Sequence, residues 1–247
     1  MTALRALLFN AFFLAWTALL ACVFLLLLPS PWRVLSSSVA WWARSVLWVL
    51  QVLVGLGFEV RGLEHRPRGP AIVAAKHQSA WDTIAISVLL DHPVVVLKRE
   101  LLQLPVWGWL ARRCGMIAVD RSAGTVALRS MVAAAQDRAA QGRQIVIFPQ
   151  GTRTAPGTKR GYYPGVVALY DRLKLPVVPV ALNSGVFWGR RAFMKKPGTI
   201  VVEFLPAIPP GLPRRQFLGE LETRIETASD RLAVEAGFTA SGMPQWD

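Results

Sequence analysis

His77 and Asp82 are the two side chains whose types and spacing could do chemistry most directly. They stand in Lys76-His77-Gln78-Ser79-Ala80-Trp81-Asp82. An apolar run from Pro70 to Ala75, which reads as a buried strand, precedes them. A stretch from Thr83 to Leu90 that reads as a helix follows. Residues five apart share no face of an extended strand, and on one continuous helix they lie well apart around the axis. A turn between them can fold the carboxylate back toward the imidazole. A histidine oriented by an aspartate is the working half of a general-base site. No Ser or Cys nucleophile is poised beside the pair, so the base is expected to act on the substrate's own hydroxyl. A His and an Asp at this spacing are common by chance, so the rest of the chain must carry the reading.

The elements that would position the pair follow from the hydrophobic pattern. Residues 71–75, 94–97, 116–119, 144–148, 177–182 and 199–205 read as strands. Residues 83–90, 105–114, 125–141, 165–175 and 215–236 read as helices. Strands interleaved with helices predict an α/β fold: a mixed, largely parallel sheet flanked by helices. In such sheets, sites gather where strand ends lead into helices. Phe148-Pro149 ends a strand as Lys76-His77 does.

The first 58 residues have a different character. From Ala6 to Leu28 no charged residue occurs, a length that spans a bilayer as a helix. Pro29-Ser30-Pro31 ends the run, and no small-residue cleavage site follows it. The stretch from Val34 to Phe58 is apolar but carries Arg44, Gln51 and three tryptophans, as befits a helix lying in the interface. Residues 1–58 are therefore expected to be membrane-anchoring helices, and residues 59–247 the α/β domain. Across its 247 residues the chain is 53% hydrophobic, with ten tryptophans and a net charge of +13. Basic charge alone admits nucleic acid, but with this hydrophobicity it points to an anionic bilayer. No nucleic-acid motif accompanies it. The two cysteines, Cys22 and Cys114, give neither a disulfide framework nor a metal cluster, which fits a reducing compartment. Arg112 and Arg113 beside Cys114 are the setting of a reactive thiol, but a packed thiol at a helix end is the simpler reading.

Three further clusters matter: Lys98-Arg99-Glu100-Leu101 with the later Gly115 to Arg121; Phe148-Pro149-Gln150-Gly151-Thr152-Arg153; and Pro176 to Leu182. Arg121 and Arg153 both follow apolar strands, and guanidinium suits bidentate phosphate recognition. Gly151 allows close backbone approach and Thr152 offers a hydroxyl. Together with the His–Asp pair and the anchor, these suggest a base working on a hydroxyl of a phosphate-bearing lipid.

From about His65 to Pro210 the sequence resembles the membrane-bound glycerolipid acyltransferases, and most closely the bacterial 1-acylglycerol-3-phosphate acyltransferases. Four blocks match in order: His77 to Asp82, Gly115 to Arg121, Phe148 to Arg153, and Val177 to Leu182. The N-terminal two-helix membrane motif is also like the family. The resemblance implies a mechanism. His77, oriented by Asp82, takes the proton from the acceptor hydroxyl. The alkoxide then attacks the thioester of acyl-CoA or acyl-carrier protein, and the thiol leaves. Backbone N–H groups at the helix start after His77 would stabilise the oxyanion. Arg121, Arg153, Gly151 and Thr152 would hold the phosphate, and Gln150, Lys76 and Lys98 would position the acceptor. Val178, Pro179 and Val180 would wall an acyl groove. No metal or bound redox cofactor is implied. The implied product is phosphatidic acid, made at a bacterial inner membrane by a domain facing the cytoplasm. The implied partners are the bilayer, the lysophospholipid and the acyl donor. Lyso-ornithine lipid is the alternative acceptor, and a non-catalytic scaffold of the same fold is a further alternative. Two departures stand out. The family usually carries Glu before Gly-Thr-Arg, where this chain has Gln150, which keeps the shape and hydrogen bonds but loses the charge. Tyr163 stands where many members have a Lys.

Overall fold

The structure is a computed structural model and describes residues 2–120 and 124–239. Two long helices come first, α1 (Thr2–Leu25) and α2 (Trp32–Val54). Both are long and apolar enough to cross a membrane. Trp16 Nε1 donates to Ser45 Oγ at 2.8 Å and Trp42 Nε1 to Thr17 Oγ1 at 3.2 Å, so two of the tryptophans tie the helices into a hairpin. Trp41 and Trp48 face outward instead.

α2 ends at Gly55, whose left-handed backbone (φ +76°) closes the last turn with an N–H bond to the Gln51 carbonyl. The chain turns at once into β1 (Leu56–Arg61). The apolar segment read as helix through Phe58 therefore stops earlier, and the expected division at residue 58 falls inside a strand. The packing crosses that line as well. Leu50 and Val54 of α2 are buried in one cluster with Trp81, Val178 and Phe204. α2 thus has two faces: one enters the core of the α/β domain and the other stays exposed.

The remaining strands are β2 (Ile72–Ala75), β3 (Val94–Lys98), β4 (Ile117–Val119), β5 (Ile145–Ile147), β6 (Val177–Leu182) and β7 (Gly198–Phe204). The helices between and after them are α3 (Ala80–Leu89), α4 (Trp107–Arg113), α5 (Gly124–Ala140), α6 (Gly165–Leu173), the short α7 (Ser184–Phe187) and α8 (Arg214–Glu235). The sheet order is β1-β7-β6-β2-β5-β3-β4. Every neighbouring pair is parallel except β6–β7. The expected mixed, largely parallel sheet is present, with one edge strand, β1, added to it.

Period-two alternation divides the core into two layers. In β2, Val73 and Ala75 face the layer of α2 and α3, while Ile72 and Ala74 face that of α5, α6 and α8. All four side chains of this central strand are buried, which sets a continuous apolar run there. Because β2, β5, β3 and β4 are parallel neighbours, their C-terminal ends lie along one edge of the sheet. His77, Phe148 and Asp120 follow those ends, and Lys98 is the last residue of β3.

Candidate active site

The site is built by the turn from β2 into α3. Ser79 is the N-cap of α3 and Asp82 its third residue, and together they form a capping box. Ser79 Oγ accepts from Trp81 N–H at 3.2 Å, and Asp82 Oδ2 accepts from Ser79 N–H at 2.8 Å. The same oxygen accepts from Gln78 N–H at 2.7 Å and lies 2.9 Å from His77 Nδ1. The carboxylate that starts the helix therefore also orients the imidazole. Because Asp82 accepts at Nδ1, the proton is assigned to that nitrogen, and Nε2 is left as the basic atom. Asp82 is 3% exposed, and its other oxygen takes the Ser184 hydroxyl at 2.5 Å. Ser184 opens α7, just after β6, and is fully buried.

A second group of contacts fixes the turn from outside. The His77 ring stacks on Phe148 with centroids 4.1 Å apart, so the end of β5 forms one wall. Thr154 N–H donates to the His77 carbonyl at 2.8 Å. Gly185 N–H donates to Gln78 Oε1 at 2.9 Å. Beyond Phe148 lies a cavity of about 360 Å³, lined largely by apolar side chains of β3, β4, α5 and β5, with Gly151 at its border.

The other expected residues fall in several places. Gly151 has φ +65°, a left-handed turn that glycine adopts without strain, and its N–H returns to the Phe148 carbonyl at 2.9 Å. Thr152 and Arg153 follow it, both half-buried, and Arg153 has no carboxylate partner among the described residues. Arg121 lies outside the described residues. Lys98, at the end of β3, is exposed and paired with Glu100 at 2.8 Å.

Two expectations need correction. Lys76 does not reach outward as an acceptor contact: the pleat points it to the face opposite His77. There it is 2% exposed and bonded to Glu226 of α8. Val178, Pro179 and Val180 do not wall a groove, because β6 is buried along its whole length in the middle of the sheet. The backbone N–H groups of Gln78, Ser79 and Trp81 are engaged by Asp82 and Ser79. Gln150 is 1% exposed, with Nε2 on Glu226 Oε1 at 3.3 Å and Oε1 accepting from Thr154 Oγ1 at 3.0 Å.

Cys114 is buried, and burial pushes its thiol up to about 11, so the reactive-thiol reading fails. Among the described residues, no group of three or more His, Cys, Asp or Glu side chains is placed to hold a metal ion. The sequence reading missed Ser184 and Glu226. Ser184 directly follows the β6 block and Asn183, a strand-end position that could have flagged it. Glu226 sits in an amphipathic helix and gives no local signal.

The His77–Asp82 pair lies just past the end of a central parallel strand, and among the described residues no Ser or Cys side chain is bonded to His77. Residues 57–183 match a family model described as Acyltransferase. The chain belongs to this Acyltransferase family and is an O-acyltransferase. It is 37% identical over 185 residues to "1-acyl-sn-glycerol-3-phosphate acyltransferase" of Pseudomonas aeruginosa, covering 75% of this chain and 72% of that protein. It is 31% identical over 169 residues to "1-acyl-sn-glycerol-3-phosphate acyltransferase alpha" of Ovis aries, 67% of this chain and 59% of the sheep protein. The match thus spans about three-fifths of the sheep protein's length. The crystal structure of the 1-acyl-sn-glycerophosphate (LPA) acyltransferase PlsC from Thermotoga maritima superposes with a TM-score of 0.78, over 97% of this chain and all of that one. At 18% identity, that likeness speaks for the fold.

Proposed function

We propose that the protein transfers an acyl chain to the sn-2 hydroxyl of 1-acylglycerol 3-phosphate, giving phosphatidic acid, with acyl-CoA or acyl-carrier protein as donor. The observation that carries this reading is the His77–Asp82 pair, 2.9 Å apart and without a Ser or Cys bonded to His77 among the described residues, in a chain that shares its family with enzymes of that name. His77 Nε2 removes the hydroxyl proton, while the Asp82 carboxylate stabilises the imidazolium that forms. The lipid oxygen attacks the thioester carbonyl, and the tetrahedral intermediate expels the thiol, which takes the proton back from His77. Arg153, half-buried and without a carboxylate partner among the described residues, binds the acceptor's phosphate. Arg121 is assigned to the same phosphate by its block. The cavity beyond Phe148 takes an acyl chain: it is lined largely by apolar side chains and shares that phenyl ring with His77. The two N-terminal helices hold the chain on the bilayer, with the α/β domain on the cytoplasmic side of an inner membrane, where acyl donors are made.

The test is an acceptor panel. Membranes carrying the protein are given labelled acyl-CoA or acyl-carrier protein and a set of lysolipids. Labelled phosphatidic acid from the glycerol 3-phosphate lipid is the expected product. Label appearing only in ornithine lipid would replace this acceptor with lyso-ornithine lipid.

A further inference from the structure

Glu226 is a buried carboxylate on α8, well past residue 183 where the family match ends. Its Oε2 accepts from Lys76 Nζ at 2.5 Å. Its Oε1 accepts from the Tyr162 hydroxyl at 2.8 Å and from Gln150 Nε2 at 3.3 Å. Burial, and after it the Glu226 charge, raises the Tyr162 phenol well above its usual range, so Tyr162 stays a donor. Three donors thus meet one carboxylate beneath the site, and two of them lie on the loops that build it.

The connections to the base are short. Lys76 directly follows β2 and precedes His77, so its side chain anchors the start of the turn. Gln150 Oε1 accepts from the Thr154 hydroxyl, and Thr154 N–H holds the His77 carbonyl at 2.8 Å. Glu226 is therefore linked to both sides of His77, through Lys76 and through Gln150 and Thr154. The hub holds one cation, Lys76, and one anion, Glu226. A carboxylate at position 150 would face Glu226 across about the same 3.3 Å and lose the amide donor now bonded to it. Two carboxylates this close repel strongly in a buried setting.

We infer that Glu226 is a positioning residue for acyl transfer: from α8 it supplies the buried negative charge that ties together the loops on both sides of His77, and Gln150 is its obligatory neutral partner. The inference rests on His77 acting as base.

The test is a charge exchange in the full-length protein in detergent micelles, with kcat, KM and melting temperature measured for each variant. Glu226→Gln and Gln150→Glu are each expected to lose about tenfold or more in kcat with little change in acceptor KM. The double variant, one carboxylate and one amide with places exchanged, is expected to be faster than Gln150→Glu alone, which sets two carboxylates against each other. A purely structural role would move the melting temperature and leave kcat per folded molecule alone, which overturns the inference. So would losses that simply add, or a Gln150→Glu enzyme faster than the natural one. If Glu226→Gln does not fold, the comparison of Gln150→Glu with the double variant decides, since only the inference makes the double variant the faster. His77→Ala runs alongside: an active His77→Ala enzyme removes the base reading, whereas an inactive one with no rescue in the double variant removes only the role of Glu226.

Discussion

Replacing Asp82 with Asn separates the charge of the pair from its geometry. The amide oxygen can occupy the place of Oδ2 and keep the bonds from His77 Nδ1, Gln78 N–H and Ser79 N–H. The amide NH2 then faces the Ser184 hydroxyl, which can turn to accept. The reversed amide would aim its NH2 at three donors and is excluded by that clash. The capping box and the turn are therefore retained, and the melting temperature should shift by less than about 3 °C, the change that ~1 kcal/mol produces in a chain of this size. What disappears is the full negative charge beside the imidazolium formed during the reaction. A charge-assisted hydrogen bond in a buried setting, at the 2.9 Å seen here, contributes about 2–4 kcal/mol. At 1.36 kcal/mol per decade, this predicts a loss of roughly 30- to 1,000-fold in kcat. Acceptor KM should hold, since Asp82 is 3% exposed. The assay is the initial rate with a labelled acyl donor in micelles at saturating acceptor. A folded Asp82→Asn enzyme within about threefold of the natural rate would refute the reasoning.

Other outcomes follow from single contacts. Ser184→Ala removes a buried donor to a carboxylate, about 1.5–3 kcal/mol, and should lower the melting temperature by roughly 3–10 °C; an unchanged transition would show the bond contributes nothing. Arg153→Ala should raise KM for the phosphate-bearing acceptor about tenfold or more, with partial recovery in Arg153→Lys, which keeps the charge but not the fork; an unaltered KM would free Arg153 from the phosphate. Cys114, raised to about 11 by burial, holds roughly one thiolate in a thousand at pH 8. In a Cys22→Ala background it should resist iodoacetamide until the chain is unfolded, with labelling rising about tenfold per pH unit toward pH 11. Native labelling at pH 8 as fast as in denaturant would contradict that burial.

The turn from β2 to α3 was legible because one short segment holds a strand end, a cap and a base. Ser79 and Asp82 sit at capping-box spacing, and that spacing is also what returns the carboxylate to His77. Lys76 was misplaced although the signal existed: in Ile72-Val73-Ala74-Ala75-Lys76-His77, alternation puts Lys76 on the face opposite His77. β1 was hidden because its alternation directly follows an apolar helix, and only the left-handed Gly55 separates them. The acyl groove was assigned to β6 because an apolar strand looks alike whether it borders a cavity or fills a core. Sheet order decides this, and β6 lies between β2 and β7. Ser184 and Glu226 reach the site through tertiary contacts across 102 and 150 residues of sequence, which no local pattern encodes.

The most direct measurement is phosphatidic acid formation by His77→Ala, from 1-acylglycerol 3-phosphate and a labelled acyl donor, compared with the natural chain at equal amounts of folded protein. Loss of the base predicts a rate lower by roughly a hundred- to ten-thousand-fold with the melting temperature retained. A His77→Ala protein that makes phosphatidic acid within about threefold of the natural rate would contradict the account.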